Sequence, residues 1–140
     1  MSDWVVEVRQ RARNVCEYCR APQAGFRRSF HMEHIVARQH GGRTESGNLA
    51  LACWTCNLRK GPNLAGIDSE TADLVALFHP RRDRWPDHFD IRQSRSASDA
   101  LDIVGLTPIG RATAKLLDFN GGIRPSLRHD HWLEGLLIWK

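Results

Sequence analysis

The chain has 140 residues, is 41% hydrophobic and 26% charged, and carries a net charge of +4. That length fits one domain, or a small domain with an extension, and is enough to bury a real core. No apolar run approaches the roughly 20 residues that span a bilayer. The opening Met1-Ser2-Asp3-Trp4 lacks the apolar stretch of a secretory signal, which predicts a cytoplasmic protein with no membrane partner.

Charge is unevenly spread. Residues 1–61 hold ten Lys/Arg against five Asp/Glu, a net of +5, whereas residues 62–140 hold ten against eleven, a net of −1. A polyanion-binding half has this bias, and so does an ordinary solvated face.

Residues 3–14 read as a packing helix, with Trp4, Val5, Val8 and Ala12 on one stripe. Cys16 and Cys19 follow. Phe30 to Val36 predicts a strand, residues 39–47 a polar loop turning at Gly41-Gly42, and Leu49 to Ala52 a second strand. Cys53 and Cys56 open a short helix, Trp54 to Lys60, stopped by Gly61-Pro62. Further on, Leu74–Phe78 and Ile103-Val104 predict strands. Thr107-Pro108 caps and starts a helix to about Leu117, with Asn120-Gly121-Gly122 as its stop. Trp132 to Trp139 is a last apolar piece available to close the core. No repeat or low-complexity tract interrupts the chain.

All four cysteines fall in two Cys-x-x-Cys knuckles with none left over. In a cytosolic protein paired cysteines point to metal rather than disulfides. Four thiolates in this spacing suit a closed tetrahedral zinc site, which supplies folding energy and no open coordination position. Two disulfides, two unrelated thiol pairs, or a Cys₂His₂ site using His31 or His34 are the alternatives. Between and after the knuckles stand Glu33, His34 and Asn57, whose carboxylate, imidazole and amide suit a hard cation and proton transfer.

The run Phe30-His31-Met32-Glu33-His34-Ile35, then His40-Gly41-Gly42, Asn48-Leu49-Ala50-Leu51-Ala52-Cys53 and Cys56-Asn57-x-x-Lys60-Gly61 resembles an HNH endonuclease. The resemblance implies an α+β protein with a ββα-metal (His-Me finger) core over residues 1–66, a Cys₄ zinc site, and a mixed α/β C-terminal extension over residues 67–140. It implies hydrolysis of DNA, or of RNA, with one divalent cation, and no small-molecule substrate. His34 falls at the general-base position, and an imidazole with an ordinary pKa near ~6.5 takes a proton from water at neutral pH. Glu33 and Asn57 fall at the positions that hold the catalytic cation, Mg²⁺ or Mn²⁺ by their oxygen donors. This makes the chain an H-N-N variant. Asn48 matches the central asparagine and is expected to brace the loop that carries the base.

Strand alternation puts His31 and Glu33 on one face and His34 on the other, which makes His31 a further candidate ligand of the cation or substrate. Arg38, His40, Arg43, Arg59, Lys60, Arg81, Arg82 and Arg84 are the candidate phosphate contacts. The rival reading is a zinc-ribbon-like nucleic-acid-binding module without catalysis, which explains the cysteines and the basic half but not the placing of Glu33, His34 and Asn57.

Overall fold

The computed structural model describes residues 3–138 and shows a mixed α/β chain. Helix α1 (Asp3–Arg11) buries Val8 and, just beyond its end, Ala12. It stops short of the expected residue 14 because Arg13 and Asn14 adopt left-handed backbone, with φ of 58° and 55°. The turn swings the chain into the first knuckle. Arg11 meanwhile donates to the carbonyls of Ser46 and Leu49, tying the helix to the strand beneath it.

Strand β1 (His31–His34) pairs antiparallel with β2 (Leu49–Ala52), His31 opposite Ala52 and His34 opposite Leu49. All four residues of β2 are buried, the mark of a strand covered on both faces. The first strand is shorter than the expected Phe30–Val36 because the Asn48 side chain takes both the N–H and the carbonyl of Val36. A side chain there replaces a ladder. Helix α2 (Trp54–Lys60) follows β2 at once, capped by the Cys53 sulfur, which accepts from the Cys56 N–H. It ends at Gly61, whose φ of +51° suits a residue without a Cβ.

Two more antiparallel hairpins make up much of the second half: β3 (Ala65–Ile67) with β4 (Leu74–Ala76), and β5 (Phe89–Gln93) with β6 (Leu101–Gly105). Between them lies the short helix α3 (Trp85–His88). Strand β4 stops before Phe78 because the Phe78 N–H goes to the Thr113 hydroxyl of the next helix, 2.8 Å away. That helix, α4 (Pro108–Leu116), begins at Thr107, whose side chain accepts from the Gly110 N–H. The last helix, α5 (Arg124–Leu133), starts well before the apolar piece expected at Trp132. Trp132 and Leu133 are 49% and 67% exposed and do not close the core, while Leu137 packs partly against it. Trp139 lies outside the described residues.

One cluster of buried side chains joins both halves, running from Val8 through Tyr18, Phe30 and β2 to Phe78, Trp85, Phe89, Ile103 and Phe119. Phe89 is its aromatic centre, with ring centroids of Trp85, Phe78 and Phe119 at 5.1, 5.3 and 5.5 Å. The four cysteines are part of the same cluster.

Asp68, with no exposed surface, binds Arg111 of α4 through both oxygens, at 2.8 and 3.0 Å. The Arg111 guanidinium, helped by Thr71 and the Glu70 N–H, holds this carboxyl well below the usual carboxylate range. A depressed carboxyl contributes stability that is present above the ordinary carboxylate value of ~3.9 and is lost as pH falls through the lower folded value. Arg111→Met should therefore flatten the loss of stability below about pH 3.9. Urea midpoints at stepped acidic pH measure it, and an unchanged slope would remove this pair from the acid response.

Candidate metal centre and active site

Cys16 and Cys19 sit in the turn after α1, and Cys53 and Cys56 at the start of α2. Their four buried sulfurs lie within 4.8 Å of one another, with Cys19 and Cys53 3.7 Å apart. All four are free. A tetrahedron of Zn–S bonds near 2.3 Å separates its sulfurs by about 3.8 Å. Within each knuckle a backbone N–H faces the first sulfur, Cys19 to Cys16 at 3.5 Å and Cys56 to Cys53 at 3.4 Å. Burial pushes the Cys16 and Cys56 thiols up, whereas hydrogen bonds from Cys16, Cys53 and Cys56 lower Cys19. Left to themselves, Cys16 and Cys56 hold back their protons. A cation among them is what lets all four ionise. The cluster can hold a metal ion, and its donors and spacing fit zinc.

The two residues inside the first knuckle connect it to everything around it. Glu17 accepts from the Leu51 N–H of β2 at 2.8 Å and forms an ion pair with Arg81. Tyr18 is fully buried, donates its hydroxyl to Glu33 at 2.7 Å, and accepts the Trp85 indole N–H on its carbonyl at 2.8 Å. No motif points to Tyr18 or Glu17. Position alone does not give them away, since Trp54 between the second pair of cysteines is 51% exposed.

Glu33 is 5% exposed and Lys60, at the end of α2, 2%. The Lys60 ammonium is 2.6 Å from Glu33 Oε1 and also donates to the carbonyls of Ile35 and His34, at 2.9 and 3.4 Å. Burial pushes the Glu33 carboxyl up, against the opposing pull of Lys60 and Tyr18. Although the ammonium is close, Oε1 receives no directed hydrogen bond. The site thus contains a buried carboxylate with one oxygen satisfied by Tyr18 and the other only by charge.

His34 is half-buried at the end of β1, its Nε2 2.8 Å from the Thr44 hydroxyl. Asn57, one helical turn before Lys60, is also half-buried. His31 is exposed although it shares strand parity with the buried Glu33, so the structure does not bring the two into one pocket. Asn48 accepts from the Val36 N–H at 2.9 Å and donates to the carbonyls of Val36 and Arg43 at 3.0 and 2.9 Å. It clamps both ends of the loop that carries Thr44. Asn48→Ala leaves the Val36 amide and two carbonyls without these partners. It should cost about 1–3 kcal/mol of stability, read from the urea midpoint; a loss near zero would show that water replaces the clamp.

The expected phosphate contacts divide by burial. Arg38, His40, Arg43, Arg59, Arg82 and Arg84 are exposed, with Arg59 3.4 Å from Asp118. Lys60 and Arg81 are instead drawn inward onto Glu33 and Glu17. Arg38, His40 and Arg43 lie on the same β1–β2 loop as Thr44, close in sequence to the His34 contact.

Among the described residues no helix is long and apolar enough to cross a membrane. Neither the curated proteins nor the solved structures give a match to the chain. Residues 16–63 do match a family model, described as HNH endonuclease. That span opens at the first cysteine and closes just past α2, so it takes in both knuckles, the hairpin and the loop between its strands. The segment from Cys16 to Asn63 is thus similar to the HNH endonuclease family.

Proposed function

We propose that the protein is a metal-dependent HNH endonuclease that hydrolyses DNA phosphodiester bonds, with a structural zinc in the four-cysteine cluster. In this reading residues 1–66 are the nuclease core, with β1, β2 and α2 as its ββα-metal unit, and residues 67–140 an extension packed on it. One observation carries it: within the matched span, the histidine at the base position stands half-buried at a strand end with one ring nitrogen held by Thr44.

His34 is the general base. Nε2 lies 2.8 Å from the Thr44 hydroxyl; in this reading it carries the proton and donates, which leaves Nδ1 as the basic nitrogen that takes a proton from the attacking water. Lys60, through the carbonyls of His34 and Ile35, fixes the backbone that carries the imidazole. Glu33 and Asn57 would hold Mg²⁺ or Mn²⁺, since both offer oxygen, with the cation taking the place of the Lys60 ammonium at Glu33 Oε1. Bound there, the cation supplies neutralisation of charge on the scissile phosphate and its leaving oxygen. His31, exposed at the far end of β1, stands apart from this set. Arg38, His40 and Arg43 on the loop, with Arg59, Arg82 and Arg84, are the exposed cations that would hold the nucleic-acid backbone.

One observation favours a second reading, a nucleic-acid-binding module without catalysis. The Glu33 charge is already met by a buried ammonium. Among the described residues, the cysteine cluster is also the one group of three or more His, Cys, Asp or Glu placed to share a metal. Plasmid nicking with Mg²⁺, Mn²⁺ or EDTA separates the two. Cation-dependent nicking supports the nuclease; DNA retained in a mobility shift with no nicking under any cation supports the module.

A further inference from the structure

Two arginines of α5, Arg128 buried and Arg124 half-buried, stand next to the cysteine cluster with no carboxylate ion-pair partner among the described residues. Arg124 opens the helix and divides its guanidinium between two structures. One nitrogen donates to the carbonyls of Leu117 and Asp118 at the end of α4, at 2.7 and 2.8 Å. The other donates to the Cys56 sulfur at 3.1 Å and lies 3.9 Å from that of Cys53. Its plane also approaches the Phe119 ring, 5.7 Å from the centroid. Arg128, one turn on and 6% exposed, spends its donors on the carbonyls of Leu101 and Phe119, each at 2.7 Å.

A buried charge is stable only when it is paired. Carbonyl oxygens solvate these guanidinium groups but do not neutralise them. The group of anionic character that the Arg124 guanidinium contacts is the Cys56 sulfur. Four thiolates around one divalent ion leave a net charge of two negatives, which two arginines balance.

We propose that Arg124, supported by Arg128, is the counter-charge of the metal centre, so that the C-terminal extension completes a site whose ligands all come from residues 16–63. This rests on the reading of the cluster as a zinc site. Arginine is needed because its planar fork can reach the α4 carbonyls and a sulfur together, where a lysine offers one compact ammonium. Losing an outer partner of this kind typically lowers metal affinity about 10–100-fold.

The test compares the full-length wild type with Arg124→Met and Arg124→Lys, loaded with Zn²⁺ for chelator competition and with Co²⁺ for absorption spectroscopy. Arg124→Met should release zinc about 10–100-fold more readily. Its sulfur-to-cobalt charge-transfer band should move to lower energy, because a thiolate without the N–H donor gives up its electron more easily. A purely structural arginine would leave that band in place. Arg124→Lys should keep the fold and show the same band shift, with partial recovery of zinc retention from its charge. Should Arg124→Met not fold even with metal, the lysine variant decides. Band and retention equal to wild type in a folded variant would overturn the proposal. A wild type that takes up no zinc or cobalt would instead bring down the zinc reading itself, and the counter-charge role with it.

Discussion

Stripping the metal from the cysteine cluster is expected to unfold the protein. The four sulfurs are not an ornament on a finished core; they are members of the one buried cluster that also contains Tyr18, Leu51 and Phe89. Structural zinc in small domains contributes an apparent ~10–16 kcal/mol at neutral pH. The whole net stability of a domain is about 5–15 kcal/mol. Removal of the ion therefore takes away as much free energy as the fold has in hand. The consequences spread along named contacts. With the first knuckle loose, Tyr18 no longer holds Glu33, Glu17 no longer anchors β2, and Trp85 loses its carbonyl acceptor. With the second loose, α2 loses its cap. Atomic absorption should find one zinc per chain, and a strong chelator should abolish both the near-ultraviolet circular dichroism and the cooperative melt. Cys53→Ser should do the same without chelator. A chelated, metal-free protein that melts cooperatively at the original temperature would show that the cluster packs as four ordinary thiols.

Local chemistry explains which parts of this arrangement were legible in the sequence. The knuckles, β2 and α2 were readable because each is specified by its own residues: paired cysteines, a short apolar run, a Gly61-Pro62 stop. So was the helix beginning at Thr107, where a side-chain cap and a proline coincide. Helix α5 was not, since it lacks a capping side chain at Ile123 and its inward face carries Arg128 and His131 rather than aliphatic residues. A stripe whose buried members are polar has no hydrophobic period to detect. Hairpin β3–β4 has the same difficulty at shorter length, three residues a strand with little of it buried.

In the candidate site the sequence pattern named Glu33, His34, Asn48 and Asn57, and it had no means of seeing the buried Lys60–Glu33 pair. An ion pair across 27 positions, hidden between a strand and a helix end, depends on tertiary approach alone. Thr44, which meets the histidine ring, carries no motif either.

Replacing His34 is expected to have the largest effect on activity and almost none on the fold. The imidazole is half-buried, and its recorded side-chain contact is the Thr44 hydroxyl at 2.8 Å, so His34→Ala opens no core cavity. Its stability should stay within about 0.5 kcal/mol of wild type. A general base contributes roughly 10²–10⁴-fold to rate, so cation-dependent nicking should fall by that factor while DNA affinity is kept. Thr44→Val makes the sharper companion. It leaves the imidazole in place and removes only the oxygen that steers Nε2, so nicking should fall by less than in His34→Ala. The two should not add in the double variant, because without the ring the hydroxyl has nothing to orient. Added imidazole should restore part of the activity of His34→Ala and none in Thr44→Val, which already has a ring in the site. Nicking by His34→Ala at the wild-type rate, with matched purity and the same cation, would remove His34 as the base and leave the binding module as the better account of residues 16–63.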